Sequence, residues 1–170
     1  EMSMHLHLIR TALATAALCA SLPAAAHESD GKLGSVHFKV SCNAEAQREI
    51  DLAMAYYHSF AWEQIRAPLE RALAADATCG MTYWARALAS LDNPFVWPGN
   101  VSTKTLSEGE ALMEQARKAG LATQRERDYV DALAAFFKDV DKLNHRTRAR
   151  ALESGLEKVA ANYPEDSEAS

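Results

Sequence analysis

Several hallmarks of common enzymes are missing from this sequence of 170 residues. Its seven glycines are scattered, so there is no glycine-rich loop to cradle a phosphate and no Gly-x-Ser-x-Gly turn to present a nucleophilic serine. The histidines are scattered too, without a His-Glu-x-x-His helix or the close Cys and His spacing that holds zinc. We therefore predict no catalytic residue, no metal ligand and no cofactor.

Positive charge is also scarce, because 18 Lys and Arg stand against 23 Asp and Glu, for a net charge of −5. Nucleic-acid phosphates require clustered Lys and Arg, and the sequence has no such stripe. The alternating Arg146, Arg148 and Arg150 would point to different faces of a helix, and acidic residues follow them. We interpret them as a solvated face and expect no nucleic-acid partner.

Long apolar runs are missing apart from a short one near the N-terminus. Residues 11–22 are apolar and small, follow the positive charge of Arg10, and precede the alanines at 24–26. This order is typical of a signal peptide over 1–26, and the run is shorter than the ~20 residues that a membrane span needs. A lipid anchor is not expected, because a leucine precedes the cysteine of this segment where a small residue is required. We predict a secreted, periplasmic protein without a stable membrane anchor.

What the sequence does contain is a pattern that recurs after 34 residues, in 50–56 and again in 84–90. In each stretch a bulky residue is followed three places on by a small one, Ala53 in the first and Ala87 in the second. This pattern resembles the tetratricopeptide repeat (TPR), a helix–turn–helix unit of 34 residues. The resemblance implies an all-α fold of stacked repeats, an α-solenoid of about three helix pairs over residues 41–170, truncated at the C-terminus.

Two tripeptides make the resemblance more specific, because they point to one subset of the family. His58-Ser59-Phe60 and Asn93-Pro94-Phe95 are similar to segments in a subset of exported bacterial TPR proteins, for which the likeness implies no activity.

Helix boundaries follow from caps and breakers. The six predicted helices begin near Asn43 (or Ser41), Trp62, Met81, Thr105, Thr123 and Asn144. Thr105 and Thr123 each precede a glutamate by three residues, as in a capping box. Pro68 lies inside the second helix and predicts a kink or a late start there, because proline removes a backbone donor.

If the resemblance holds, the inner face of each first helix lines a concave groove that binds a protein or peptide. The residues that it assigns to the groove are Ile50, Met54, Tyr57, His58, Met81, Trp84, Leu88 and Asp92, with Asp131 and Lys138 added by the fifth helix. Alternatively, these side chains pack against a further helix or against residues 27–40, where alternating Val36, Phe38 and Val40 predict an extended lead-in. We predict a binding scaffold whose partner the sequence does not identify.

The two cysteines outside the predicted signal peptide, Cys42 and Cys79, are separated by 37 residues, close to the repeat period. Both precede the first helix of a repeat, and such helices lie side by side in the family. In an exported protein we therefore expect a disulfide between them, which would stabilise the fold by roughly 4 kcal/mol. Two free buried thiols are the alternative.

The alternative function is a periplasmic metal- or cofactor-dependent enzyme, carried on this scaffold or C-terminal to it. A site built from His37, His58 and a carboxylate would be its simplest form.

Overall fold

The computed structural model describes residues 33–169, and within that range it is all-helical, with no strand. The six α-helices are α1 (Ala44–His58), α2 (Arg66–Ala75), α3 (Gly80–Ser90), α4 (Thr103–Ala119), α5 (Gln124–Phe137) and α6 (His145–Asn162). Short 3₁₀ turns occur at Trp62–Gln64, Pro94–Val96 and Ser167–Ala169. The all-α prediction is confirmed, whereas the predicted signal peptide and the first residues of the lead-in lie outside the described range.

Side-chain caps begin three of the six helices, α1, α5 and α6, at the predicted residues. Asn43 accepts a hydrogen bond from the N–H of Ala46, and Asn144 caps α6 in the same manner. Thr123 and Glu126 form the predicted capping box at the start of α5. These caps satisfy backbone donors that have no partner inside the helix.

The predicted start of α4 is wrong by two residues. The helix begins at Thr103, and Ser102 is its cap, accepting from the N–H of Thr105. Thr105 therefore lies inside the first turn, and its hydroxyl bonds to the Ser102 hydroxyl instead of capping a helix. Both residues have suitable side chains, and only the backbone conformation of Ser102, which is extended, decides between them.

Pro68 produces the late start that its position allows. Residues Trp62–Gln64 form a 3₁₀ turn, and the α-helix begins at Arg66, so Pro68 lies in the first helical turn. A proline is tolerated there, because the first-turn N–H groups need no partner within the helix.

Helices adjacent in sequence pack together, and the most extensive contacts join α1 to α2, α3 to α4 and α5 to α6. In addition, α3 touches both α1 and α5. Two glycines allow close approach: a Cβ at Gly109 of α4 would overlap the Phe137 ring, and one at Gly155 of α6 would lie 2.7 Å from the backbone of Ala132. No helix within residues 33–169 is long and apolar enough to cross a membrane.

The interpretation of Arg148 as part of a solvated face is wrong. Its side chain is 1% exposed, and its guanidinium donates to the carbonyl oxygens of the chain that leaves α5. Those acceptors are Phe136, Lys138, Asp139, Val140 and Leu143. A helix C-terminus leaves carbonyls without intrahelical partners, and Arg148 supplies the missing donors.

Candidate functional site

The described part of the lead-in, residues 33–40, is extended and covers the face shared by α1, α3 and α5. From here on, the lead-in means these residues. Phe38 of the lead-in is 2% exposed. Its ring stacks on Trp84 of α3 with centroids 5.2 Å apart and meets the edge of Tyr129 of α5 at 5.3 Å. Aromatic contacts of this geometry add to the free energy of burial, so Phe38 is the anchor of the lead-in.

Side chains of α1 bind the backbone of the lead-in. The N–H of Phe38 donates to Asp51 Oδ1, and the N–H of Val40 donates to Gln47 Oε1, each at 2.9 Å. Gln47 Nε2 in turn donates to the carbonyl of Phe38 at 2.8 Å and to Asp51 at 2.8 Å. Asp51 and Gln47 are four residues apart and so lie on one helix face, where they replace the strand neighbour that an extended backbone otherwise needs.

Residues of α5 hold the other side of the lead-in. Arg125 donates to the carbonyl of Lys39 at 2.7 Å, and its guanidinium lies 4.7 Å from the centre of the Phe38 ring. Glu126, only 2% exposed, completes the α5 capping box and also accepts from the N–H of Ser41 at 2.6 Å. One aromatic anchor and side-chain partners on two helices thus fix this segment.

A polar cluster beside Phe38 joins Arg125, Tyr129 and Asp166. Asp166 Oδ2 accepts from Arg125 Nε at 2.5 Å and from the Tyr129 hydroxyl at 2.9 Å. Burial raises the pKa of Asp166, but these two hydrogen bonds and the positive charge of Arg125 outweigh it and lower the pKa below its usual value. Burial and the hydrogen bond to Asp166 raise the pKa of the Tyr129 hydroxyl. Asp166 is therefore held as a carboxylate.

The disulfide predicted between Cys42 and Cys79 is confirmed. It joins the chain immediately before α1 to the residue that precedes α3, with Cα atoms 5.2 Å apart. Asn43 reinforces the junction, because its N–H donates to Asp76 and its side-chain amide donates to the carbonyl of Ala75. The end of the lead-in is therefore tethered covalently beside the face that it covers.

The predicted groove residues divide into a buried and an open group. Ile50, Met54, Met81 and Trp84 are at most 3% exposed, and Trp84 packs against the lead-in, which is the alternative that the sequence left open. Tyr57 and Leu88 are half-buried, His58 is exposed, and Asp92 lines a different surface on the far side of α3. Asp131 pairs with Arg117, and Lys138 is exposed at the end of α5. In this conformation the structure thus has a covered face where the resemblance implies an open groove.

His37 and His58 lie on one small cleft of about 230 Å³, together with Asp166 and Glu168. Each histidine pairs with a carboxylate at 2.9 Å, His37 with Asp51 and His58 with Glu168. Burial raises the pKa of Glu168, and the hydrogen bond from His58 opposes that shift. Within residues 33–169 no three His, Cys, Asp or Glu side chains are grouped so that they could hold a metal ion.

Sequence reasoning missed the residues that bind the lead-in, namely Gln47, Asp51, Arg125 and Glu126. The role of Gln47 and Asp51 could have been predicted from the sequence. They are polar, four residues apart and therefore on one face of α1, which suggests a shared polar partner. The role of Arg125 and Glu126 could not have been predicted in this way, because about 85 residues separate them from their partners. The bond from Ser41 to Glu126 is an example.

Comparison with known proteins finds no family model that matches this chain, and no curated protein or solved structure with significant similarity to it. The function must therefore be argued from the geometry.

Proposed function

We propose that this protein is an exported TPR-like scaffold that binds an extended segment of a partner protein on the face of α1, α3 and α5. The observation that carries the proposal is the lead-in itself, an extended segment with one buried aromatic anchor and a backbone bonded by helix side chains. Contacts of α3 with both α1 and α5 support a stack of helix pairs, the arrangement in which repeat proteins form such faces.

The lead-in competes with any partner for the face of α1, α3 and α5. A tethered segment on a short connection acts at an effective concentration of about 1 mM. A partner at micromolar concentration must therefore bind roughly a thousandfold more tightly than the lead-in would in trans to displace it. Partners are thus expected to contain an aromatic residue in an extended segment, with flanking contacts beyond those that the lead-in makes.

A labelled peptide with the sequence of residues 33–41 tests the proposal. We expect saturable binding to the full-length Phe38→Ala variant, which lacks the competing anchor, and at least tenfold weaker binding to the unchanged protein. A peptide whose own Phe38 is replaced by alanine should not bind, because the ring carries most of the contact. The readout is fluorescence anisotropy.

Phe95→Ala is the matched control, because Phe95 is 78% exposed on another surface, and it should leave peptide binding unchanged. Circular dichroism establishes that the Phe38→Ala variant is folded. If that folded variant fails to bind the peptide, the face is only a structural core and the proposal is wrong.

Export is part of the proposal and rests on the signal-like order of residues 1–26. N-terminal sequencing of the protein recovered from the periplasm should start at His27; a chain that still starts at Met2 would contradict it.

The alternative, a metal- or cofactor-dependent enzyme, stays a prediction: His37 and His58 line one cleft, but within residues 33–169 no three ligands are grouped to hold a metal ion. Metal analysis of purified protein tests it, since a stoichiometric metal lost in the His58→Ala variant would favour the enzyme over the scaffold.

A further inference from the structure

The exposed large hydrophobic side chains of the described range gather in one place. Phe60, Phe95 and Val96 are 63%, 78% and 53% exposed, and the two phenylalanine rings lie 5.9 Å apart. Phe60 follows α1 and the other two follow α3, so two separate loops contribute to what we call the aromatic patch. Exposed apolar side chains that cluster in this way indicate an interaction surface, whereas scattered ones do not.

Hydrogen bonds hold the loop that carries Phe95 and Val96 in place. The indole N–H of Trp97 donates to the carbonyl of Leu91 at 2.9 Å, and the Asn100 side chain donates to the same carbonyl at 3.1 Å. Asn93 accepts from the N–H of Phe95 at 2.9 Å. The exposure of the patch therefore does not come from a frayed loop, and its rigidity lowers the entropic cost of binding.

Phe60 has an unusual backbone, with φ at +58°. Glycine is the usual residue in this left-handed position after a helix, because a Cβ is sterically disfavoured there. An exposed phenylalanine in this conformation contributes little to the core. A strained residue of this kind suggests that its side chain is used for binding.

The aromatic patch continues into a cleft of about 1000 Å³ formed by α2, α3 and α4. Trp62 connects the two, because its ring lies 5.8 Å from Phe60 and it also lines the cleft. Half-buried Ala89 of α3 and Leu112 of α4 add apolar lining. α2 and α4 form the walls of the cleft, and α3 forms its floor. A groove between helices is a common binding site for a helix of a partner protein.

The charged residues of the cleft are mostly acidic. Its exposed carboxylates are Glu63, Glu70, Asp92 and Glu108. Two guanidiniums, those of Arg66 and Arg86, line the cleft with them, and Lys104 pairs with Glu108 at 3.7 Å, so the carboxylates outnumber the neighbouring cations by four to three. A partner that places basic side chains beside an apolar stripe is therefore complementary to this surface, and the excess of carboxylates opposes an anionic lipid surface.

We infer that the aromatic patch and the cleft bind an amphipathic helix of a partner protein, with its apolar stripe on Phe60, Phe95 and Trp62 and with Lys or Arg along its edges. The patch and its cleft share no lining residue with the cleft of the lead-in, and the inference does not depend on the proposed function.

Two synthetic amphipathic helices test the inference. They have the same length and the same leucine stripe, and one carries lysine along its edges where the other carries glutamate. We expect the lysine helix to bind the full-length protein at least tenfold more tightly than the glutamate helix, with an affinity that falls as salt rises. Phe60→Gly and Phe95→Ser should each weaken its binding about tenfold or more.

Asp139→Gly is the matched control for Phe60→Gly. Asp139 also has a positive φ, +53°, and is exposed, but it follows α5 and is not among the residues of the patch or the lining of its cleft. Both changes place a glycine where the backbone favours one, so both variants should fold, and only Phe60→Gly should lose binding. Equal binding of the two helices, no binding of either, or no effect of Phe60→Gly overturns the inference. Binding to phosphatidylcholine–phosphatidylglycerol vesicles that Phe60→Gly abolishes, in place of helix binding, would assign the patch to a membrane surface instead.

Discussion

A single buried arginine organises the end of α5 and its connection to α6. The guanidinium of Arg148 donates to five carbonyl oxygens between Phe136 and Leu143. The planar group, with its donors in a fixed arrangement, suits several carbonyls at once. Its charge is surrounded by backbone dipoles, and no carboxylate of residues 33–169 contacts it.

Replacing this residue should therefore be costly. Arg148→Met leaves several carbonyls without donors, and we expect a loss of about 3 kcal/mol in the free energy of unfolding, measured by urea denaturation. Arg148→Lys should recover less than half of that loss, because an ammonium has only three donors. Arg150→Met, on an exposed position of the same helix, should change stability by no more than about 0.5 kcal/mol. Equal effects of the two methionine variants would mean that the carbonyl contacts contribute little.

The lowered pKa of Asp166 makes a prediction about acid stability. A carboxyl whose pKa is lower in the folded state stabilises the fold above its unfolded pKa of about 3.9, and this contribution is lost as the pH falls through the folded pKa. Asp166→Asn should therefore destabilise the protein by on the order of 1–2 kcal/mol at pH 7. The difference from the unchanged protein should shrink steadily below about pH 4.

Urea denaturation at pH 7 and at about pH 3 measures this difference. Glu168, whose pKa burial raises, acts in the opposite direction, since a raised pKa favours the fold at low pH. It is present in both proteins, but the charge of Asp166 contributes to its raised pKa, so the comparison measures Asp166 together with its effect on Glu168. Glu165→Gln, an exposed change nearby, controls for the loss of a carboxyl group. A difference that stays constant with pH would show that Asp166 acts by packing and not by charge.

At the scale of elements, side-chain caps begin α1, α4, α5 and α6, and specific long-range contacts hold the junctions between helices. The disulfide between Cys42 and Cys79 and the Asn43 bonds fix the entry to α1 against the turn between α2 and α3. The lead-in is an element of another kind, because its extended backbone has no strand partner and depends on side chains of α1 and α5.

The disulfide should contribute roughly 4 kcal/mol, because it closes a loop of 37 residues. We expect the Cys42→Ser, Cys79→Ser double variant to unfold at a correspondingly lower denaturant concentration than the oxidised protein. Adding reductant to the unchanged protein should produce the same shift, and adding it to the double variant should produce none. Mass spectrometry without reductant should find neither thiol alkylated in folded protein. Alkylation of both would contradict the bond.

At the scale of the whole described range, two surfaces of different character emerge. The face of α1, α3 and α5 is covered and hydrogen-bonded by the lead-in, so a partner must compete with it. The aromatic patch and its cleft are open and bordered by carboxylates. The proposed function and the further inference together imply two partners bound at once, and the two peptide assays address the two surfaces independently.

The sequence by itself predicted the six helices, the caps of α1, α5 and α6, and the disulfide, but not the cap of α4. Asn43, Thr123 and Asn144 each accept from the backbone N–H three residues further along, and Pro68 acts within its own turn. Such effects are local, so they can be predicted from neighbouring residues. The Cys42–Cys79 bond is long-range, but the resemblance to tetratricopeptide repeats implied it, because successive first helices lie side by side in that family and the cysteine separation is close to the repeat period.

Only the tertiary structure decided which residues are free to act. Trp84 and Met81 have the character of groove residues, yet Phe38 and the surrounding helices bury them. Arg148 has the character of a surface residue, yet the carbonyls that leave α5 enclose it. Burial depends on elements that are distant in sequence and meet only when the helices pack. A side chain's identity therefore gives its chemistry, and the packing of the helices decides whether a partner can reach it.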